Sequence, residues 1–573
     1  MKKNSYLCNK INKIHKNDMK RLYIFIATML SLLLAMPTKA QKVEELENKP
    51  KIVVGIMVDQ MRWDYLTRYY DRYTDGGFRR LMAEGYNCNR LNINYIPTVT
   101  AVGHTAVYTG TVPAFNGIIA NNMYFDGEWV TPVRDWNVKA LGTKRDEGQG
   151  SPHRLLCTTM TDELRLATNF RSKVISVSIK DRGAILPGGH CANAAYWMDT
   201  EGLQFVSSTY YMDELPQWVE QFNDQKLGQK YLAKTTTEKK DKEHFWDLMY
   251  DESTYVQSGS GKSEKYYAQV GQILKYSPYG NTYTADMALA ALDNENLGNN
   301  PAGVTDFLAI SFSTTDMVGH KVGPNSIWIE DLYLHLDKDI KRLLDALDRK
   351  FGKDQYIVWL SADHAGSHNV VFRNEHGIPA TTWPTFCIMD ELNSTLSTEF
   401  GLAGNIVHSL ECQQVYFNDT LIAEQCPLNT TPSILKKKLI DRTIEILLKK
   451  DNVAYAFQPQ HIPDYIPEPV RTMSINGYNP KRSGDIQIIL EANVTEDSDD
   501  CKKADYDGIP KGINHSVWSP YDAHIPFIVM GKGVRHAWDN HSYSVTDIAP
   551  TICSLLNIQQ PSSCVGNAID VRK

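Results

Sequence analysis

The clearest pattern along the chain is a set of short, uninterrupted apolar runs that each lead to an acidic residue. Residues 51–58 (KIVVGIMV) stop at Asp59, residues 307–313 (FLAISFS) lead to Asp316, and residues 356–362 (YIVWLSA) lead to Asp363-His364. Runs of this length predict parallel strands buried on both faces. Between them lie stretches with helical character, 77–84, 284–292 and 329–347, and residues 173–178 add another strand. The alternation predicts βαβ units and an α/β fold: a doubly wound, mostly parallel sheet flanked by helices. In such sheets ligands collect at the carboxyl ends of the strands, where these acids stand.

Two stretches break the alternation and are expected to be capping insertions. Residues 205–280 are rich in Tyr, Trp, Lys, Glu and Gly and contain a Gly/Ser loop. Residues 370–515 contain a helix at 433–449, a strand at 485–490 and an acidic loop at 496–500. Core-like sequence resumes with a strand at 526–530 and a helix at 547–556 that begins with an acid. No internal repeat or low-complexity tract is evident.

The N-terminus changes how charge is read. Residues 22–34 form an apolar run of thirteen, preceded by Met19-Lys20-Arg21 and followed by Thr38-Lys39-Ala40, with small residues three and one before Gln41. That reads as a signal peptide over 1–40, too short for a membrane span, with translation expected to start at Met19. The whole chain of 573 residues carries 60 Lys and Arg against 67 Asp and Glu, net −7. Residues 1–40 hold eight basic residues and one acidic one, so the mature chain has 52 positive and 66 negative charges, net −14. Such a chain is not a nucleic-acid binder held by bulk charge. At 42% apolar it can fill a large core, and residues 41–573 are expected to form one catalytic domain with insertions. The nine cysteines of the mature chain are too sparse for a disulfide scaffold. Cys412/Cys426 and Cys553/Cys564 are the pairs that could close short loops.

Asp316 and His320 stand four apart, so one helical turn can aim both at one ion. Asp363 and His364 are adjacent at a strand end, Asp59 ends the first strand, and His524 precedes the strand 525–530. Three Asp and three His without Cys suit hard-to-borderline divalent metals, zinc first. Each alone reads more simply as a turn former, a helix cap or a hydrogen-bonded histidine. Their joint placement at one sheet edge carries the metal reading. A Thr hydroxyl in the following loop, Thr98, Thr100 or Thr105, is a poor nucleophile unless a base or metal removes its proton.

These residues resemble the alkaline phosphatase superfamily. The likeness is to its single-chain Thr-nucleophile branch, shared by bacterial alkaline phosphatases and nucleotide pyrophosphatase/phosphodiesterases. It rests on Asp59, Thr100-Ala-Val-Gly-His104, the Asn of Gly117-Ile-Ile-Ala-Asn121, Asp316-x-x-x-His320, Asp363-His364 and His524-Ile-Pro, in that order, and runs from about 51 to 557. The resemblance implies one zinc on Asp316, His320 and His524, and a second on Asp59, Asp363 and His364 together with the nucleophile Thr100. His104 is read as orienting the loop, and His515 and His368 as supporting or exposed. Asn121 would donate to a phosphoryl oxygen, with Asn122 the alternative, and Lys180 and Arg182 would neutralise the extra charge of a monoester. No Cys/Ser-x-Pro-x-Arg segment of the sulfatase kind opens the nucleophile loop. The expected activity is a secreted or periplasmic two-zinc alkaline phosphatase acting on small phosphate monoesters through a phosphothreonine. No nucleic-acid partner and no stable membrane anchor are expected, and the branch is often monomeric. The rivals are a phosphodiesterase or nucleotide pyrophosphatase, and a surface protein that keeps the scaffold without catalysis.

Overall fold

The predicted apolar runs lie side by side in the computed structural model, which describes residues 49–125, 128–235, 246–255, 274–497 and 512–573. The expected signal segment lies outside them. The main sheet has ten strands: β1 (Ile52–Val58), β2 (Tyr86–Asn92), β3 (Ala140–Leu141), β4 (Val174–Ser178), β5 (Ala194–Asp199), β6 (Gln204–Ser208), β7 (Asp306–Phe312), β8 (Tyr356–Ser361), β9 (His524–Gly531) and β10 (Ala537–Ser544). Their order is β10-β2-β9-β8-β1-β7-β4-β5-β6-β3. The middle, β8-β1-β7-β4-β5, is parallel throughout. Strands β1, β7 and β8 are buried along their whole length, which is why they read as unbroken apolar runs.

Register gathers the chemistry at one edge. Val58 of β1 lies opposite Phe312 of β7, Met57 opposite Ser361 of β8, and Ser178 of β4 opposite Ser311 of β7. The chain therefore leaves β1, β4, β7 and β8 on the same side, at Asp59, Lys180, Asp316 and Asp363. Strand β9 runs antiparallel to β8, so its first residue, His524, comes to that edge from the opposite direction.

Four helices matter for the site: α1 (Thr100–Thr109), α2 (Asp181–Gly188), α3 (Thr314–Val322) and α4 (Ile327–Phe351). Every residue of α1 is buried, although it contains three threonines and a histidine. A helix buried all round has no apolar stripe, so periodicity could not announce it. Gly103 lets it approach the sheet edge: a Cβ there would stand 2.1 Å from the Asp363 carbonyl oxygen.

The two insertions differ from each other. The first opens with β6, which pairs antiparallel with β5 and lengthens the main sheet. Its Trp246 is fully buried and donates to the buried Asp331 of α4 over 2.7 Å. The second builds its own four-stranded sheet, in the order Val407–Glu411, Gln414–Phe417, Ile486–Leu490, Val453–Phe457. That sheet packs with the helices Thr385–Phe400 and Pro432–Leu447 around a separate core that includes Leu392, Leu439 and Ile486.

Two expectations need correction. Residues 498–500 of the expected acidic loop lie outside the described residues, but Glu496 and Asp497 belong to a buried strand (Val494–Asp497) paired with Thr381–Pro384. Glu496 is satisfied there by Thr385 Oγ1 at 2.9 Å, Ser516 Oγ at 2.6 Å and Gln413 Nε2. Neither cysteine pair is bridged. Cys412 packs into the main core while Cys426 lies against the second one. Cys553 is fully buried in the helix Ile548–Leu556, and Cys564 turns its Sγ to the Gly566 carbonyl at 3.8 Å. The disulfide-bonded cysteine among the described residues is Cys387. Residues Pro50–Lys573 cluster as one unit, and no described helix is long and apolar enough to cross a membrane.

Gly103→Ala should push α1 off the Asp363 carbonyl and lower stability by about 1–3 kcal/mol. Urea unfolding of the variant against the parent protein checks this; an unchanged midpoint would show that α1 does not depend on the close approach.

Candidate active site

Three carboxylates meet at the strand ends. Asp59 and Asp363 are fully buried and Asp316 is 3% exposed. One ammonium serves them: Lys180 Nζ lies 2.6 Å from Asp59 Oδ2 and 2.6 Å from Asp316 Oδ2. Burial, reinforced by Asp316 and Asp363, pushes the Asp59 carboxyl well above the usual range. Against the same burial, His320 and Lys180 hold Asp316 well below it, and His364 and His104 do so for Asp363. Burial works against the Lys180 ammonium, but Asp316 and Asp59 raise it, so it stays charged. One cation among three buried acids leaves negative charge uncompensated, a costly arrangement without a further cation.

Three imidazoles face this charge, and each is oriented by the backbone. His364 Nδ1 donates to the Ala365 carbonyl (3.0 Å), His320 Nδ1 to Ile513 (2.7 Å) and His515 Nδ1 to Thr98 (2.7 Å). A carbonyl only accepts, so each Nδ1 carries a proton, and the free nitrogen that each ring turns to the acids is Nε2. His320 Nε2 and His515 Nε2 point at one another across 3.3 Å, at 3.0 and 3.5 Å from Asp316 Oδ1. His364 Nε2 stands 3.6 Å from Asp59 Oδ1 and 3.7 Å from Asp363 Oδ2, and none of these three buried atoms has a hydrogen-bond partner. Burial pushes His364 down to about 3, so it is neutral. Lone pairs brought together in this way are suited to a cation, with the second-shell carbonyls fixing each ring. The ligand atoms form two groups, Asp59-Asp363-His364 and Asp316-His364-His515, each within 4.8 Å.

Thr100 is the first residue of α1 and is buried. Its carbonyl accepts from His104 Nδ1 (2.9 Å), whose other nitrogen bonds Ser311 Oγ (2.7 Å) and whose Nδ1 also lies 3.2 Å from Asp363 Oδ2. His104 therefore ties the start of α1 to β7 and to the acids. The rival hydroxyls are engaged elsewhere: Thr98 donates to Val517 (3.0 Å) and Thr105 to Ala101 (2.7 Å). Asn121 Oδ1 accepts from the Ala101 amide at 2.9 Å, which fixes the side chain and leaves its NH2 as the donor end. Asn122 turns instead to Glu411 at 3.5 Å. Lys180 caps α2 and Arg182 lies in its first turn, where its guanidinium is 3.6 Å from Asp181.

The structure thus brings together Asp59, Asp316, His320, Asp363, His364 and Lys180, with Thr100 and Asn121 joined through α1. It does not bring in His524. That ring stacks on Trp63 at 5.2 Å and its Nε2 bonds the Asn89 carbonyl at 2.8 Å. Arriving on an antiparallel strand, residue 524 has its side chain committed to the Trp63 side. His515 takes the expected place, from the 512–519 loop, and stacks on His364 at 3.7 Å. No periodic pattern marks that loop. His368, read as supporting or exposed, bonds Asn325 Oδ1. Gln60 was not singled out: its amide N–H meets Asp363 Oδ1 (3.1 Å) and its Nε2 meets Asp316 Oδ1 (2.8 Å), from a left-handed φ of 62°.

A parallel sheet with this edge, facing a buried helix that starts in threonine, is that of the alkaline phosphatase superfamily. The chain belongs to the type I phosphodiesterase / nucleotide pyrophosphatase family, whose model matches residues 53–507. It is 44% identical over 544 residues to the alkaline phosphatase PhoV of Synechococcus elongatus, covering 91% of this chain and 92% of that one. It is 42% identical over 535 residues to the alkaline phosphatase PafA of Elizabethkingia meningoseptica, covering 91% and 94%. The crystal structure of wild-type PafA aligns at a TM-score of 0.81 with 40% identity, over 92% of this chain and 99% of that one. A protein of Myroides odoratus named a calcium-transporting ATPase is 40% identical over 571 residues, covering 95% and 98%.

Asp522 anchors the His515 loop: its Oδ2 accepts from the Val517 amide at 3.2 Å while Oδ1 has no partner. Burial pushes its carboxyl up to about 8. The native state then keeps a proton that the unfolded chain releases near pH 4, so stability falls as pH rises from about 4 to about 8. Asp522→Asn lacks this slope, and its stability relative to the parent protein should rise between pH 5 and pH 9 in urea titrations. A constant difference would overturn the assignment.

Proposed function

We propose that this phosphoric monoester hydrolase works as a two-zinc alkaline phosphatase through a phosphothreonine at Thr100. One observation carries the reading: Asp59 Oδ1, Asp363 Oδ2 and His364 Nε2 are buried, face one another without hydrogen-bond partners, and lie at the edge where Thr100 opens α1. These three residues, with Thr100, would hold one ion, and Asp316, His320 and His515 the other. When bound, the ions supply Lewis-acid stabilisation of the attacking and leaving oxygens and offset the three carboxylates.

The chain's own residues do the rest. Thr100 releases its hydroxyl proton to solvent, its Oγ1 forms a bond to phosphorus as the bond to the leaving oxygen breaks, and the alcohol departs with a proton from solvent. Water then attacks the phosphothreonine and loses a proton to solvent, the Thr100 Oγ1 bond to phosphorus breaks and Oγ1 takes a proton back, and inorganic phosphate leaves. The positive end of α1 lies behind the attacking oxygen and favours the charge that develops there. Asn121 donates to a non-bridging oxygen. Lys180 and Arg182, on one turn at the end of β4, neutralise the charge that a monoester carries beyond a diester. Residues 1–40 would export the protein to the periplasm or beyond, where small phosphate monoesters are its substrates and a monomer suffices.

Thr100→Ala should abolish turnover of an aryl phosphate and remove the acid-stable phosphate that brief substrate exposure leaves on the parent protein. The zinc-loaded parent should turn over the monoester faster than the matching bis-aryl diester, and the opposite preference would sink the proposal.

The two histidines separate the ligand sets. His515→Ala should lose one of two zinc ions by metal analysis, and His524→Ala should keep both. Loss of zinc from His524→Ala alone would restore the expectation drawn from the sequence.

A further inference from the structure

Beside the acids, on the side of α2 and α3, lies a group of cations that the reaction does not use. Lys321 follows His320 on α3. Lys275 comes from the short 3-10 turn Leu274–Tyr276, whose backbone lies against the start of α3: a Cβ at Gly280 would meet Thr314 Cγ2 at 2.4 Å and Lys275 Cα at 3.6 Å. Both ammoniums sit over the ring of Tyr276, Lys275 Nζ at 5.6 Å and Lys321 Nζ at 5.7 Å from its centroid.

All three side chains are half-buried, and among the described residues neither lysine forms an ion pair. Burial, then the charge of Lys180, with Arg182 and Lys321 adding, pushes the Lys275 ammonium down, and Glu147 opposes this. Glu147 is already engaged by Arg145 and by Thr200. Burial and the charge of Asp316 push the Tyr276 phenol up while Lys180 pulls it back, so the ring is within electrostatic reach of the reacting edge. Arg182 adds a buried Nε that has no acceptor. Like charges held close together without counter-ions repel, and an anion relieves them.

We propose that Lys275 and Lys321, with Tyr276, form a second anion subsite next to the reacting centre. It selects phosphate monoesters whose leaving group carries a further negative charge, a carboxylate or a second phosphate. The proposal rests on the monoesterase reading, because the reacting phosphoryl group must sit by Lys180 for the leaving group to face these lysines.

The test is calorimetric binding to the zinc-loaded protein of three non-hydrolysable ligands: benzylphosphonate, para-carboxybenzylphosphonate and para-xylylenebisphosphonate. The two doubly anionic ligands should bind tighter than benzylphosphonate by about 5-fold or more, the scale of a partly screened ion pair. The carboxylate and bisphosphonate arms rank the two sources of charge. In the Lys275→Gln/Lys321→Gln double variant the advantage should fall to about one, while the remote Lys353→Gln should keep it. Rising salt should shrink the advantage in the parent protein, which needs no variant. An advantage near one in the parent protein, or one that the double variant or salt leaves unchanged, overturns the subsite. Turnover of phenyl phosphate in the same preparations reads the monoesterase function separately: its absence would overturn that function while the binding ratios still decide the subsite.

Discussion

Three carboxylates buried around a single ammonium are the constraint on which the rest of this molecule depends. Asp59, Asp316 and Asp363 are out of water, and Lys180 bonds two of them. Such a cluster is tolerable only if the surrounding chain holds it rigidly and a further positive charge can enter. Both conditions shape what surrounds it. The parallel register aligns the strand ends, Gly103 lets α1 close over Asp363, Gln60 donates to Asp363 and Asp316, and His104 lies 3.2 Å from Asp363 Oδ2. Three backbone carbonyls turn three imidazoles so that their Nε2 atoms face the same charge.

Net charge says little about such a site. The chain is acidic overall, net −7, yet the carboxyl edge of its sheet holds buried carboxylates near lysines that form no ion pair among the described residues. On the proposed function, such a field would suit an anionic substrate held between ions bound by the acids on one side and ammonium groups on the other.

Different parts of this arrangement were legible to different degrees. The strands β1, β7 and β8 were plain because a strand buried on both faces must be apolar throughout, and the acids could be read because each ended such a run. Helix α1, which begins with Thr100, gave no periodic signal, since all its faces are buried. Residues 205–208 read as part of a cap and instead extend the sheet, because they find hydrogen-bonding partners in β5 on one side and β3 on the other. Glu496 read as a solvated acid, and three donors from distant segments make it a buried one.

The residue types and their order along the chain were enough to define a doubly wound sheet with acids and imidazoles at its carboxyl edge, and a threonine between them. Those features depend on burial and on neighbours close in sequence. Which imidazole completes the cluster was decided only in three dimensions. His524 sits on an antiparallel strand that commits its ring to Trp63, whereas His515 reaches Asp316 and His364 from a loop held by Thr98 and Asp522. The direction of the strand and the Thr98 contact that turns His515 are set by partners hundreds of residues away, and no local pattern carries that information.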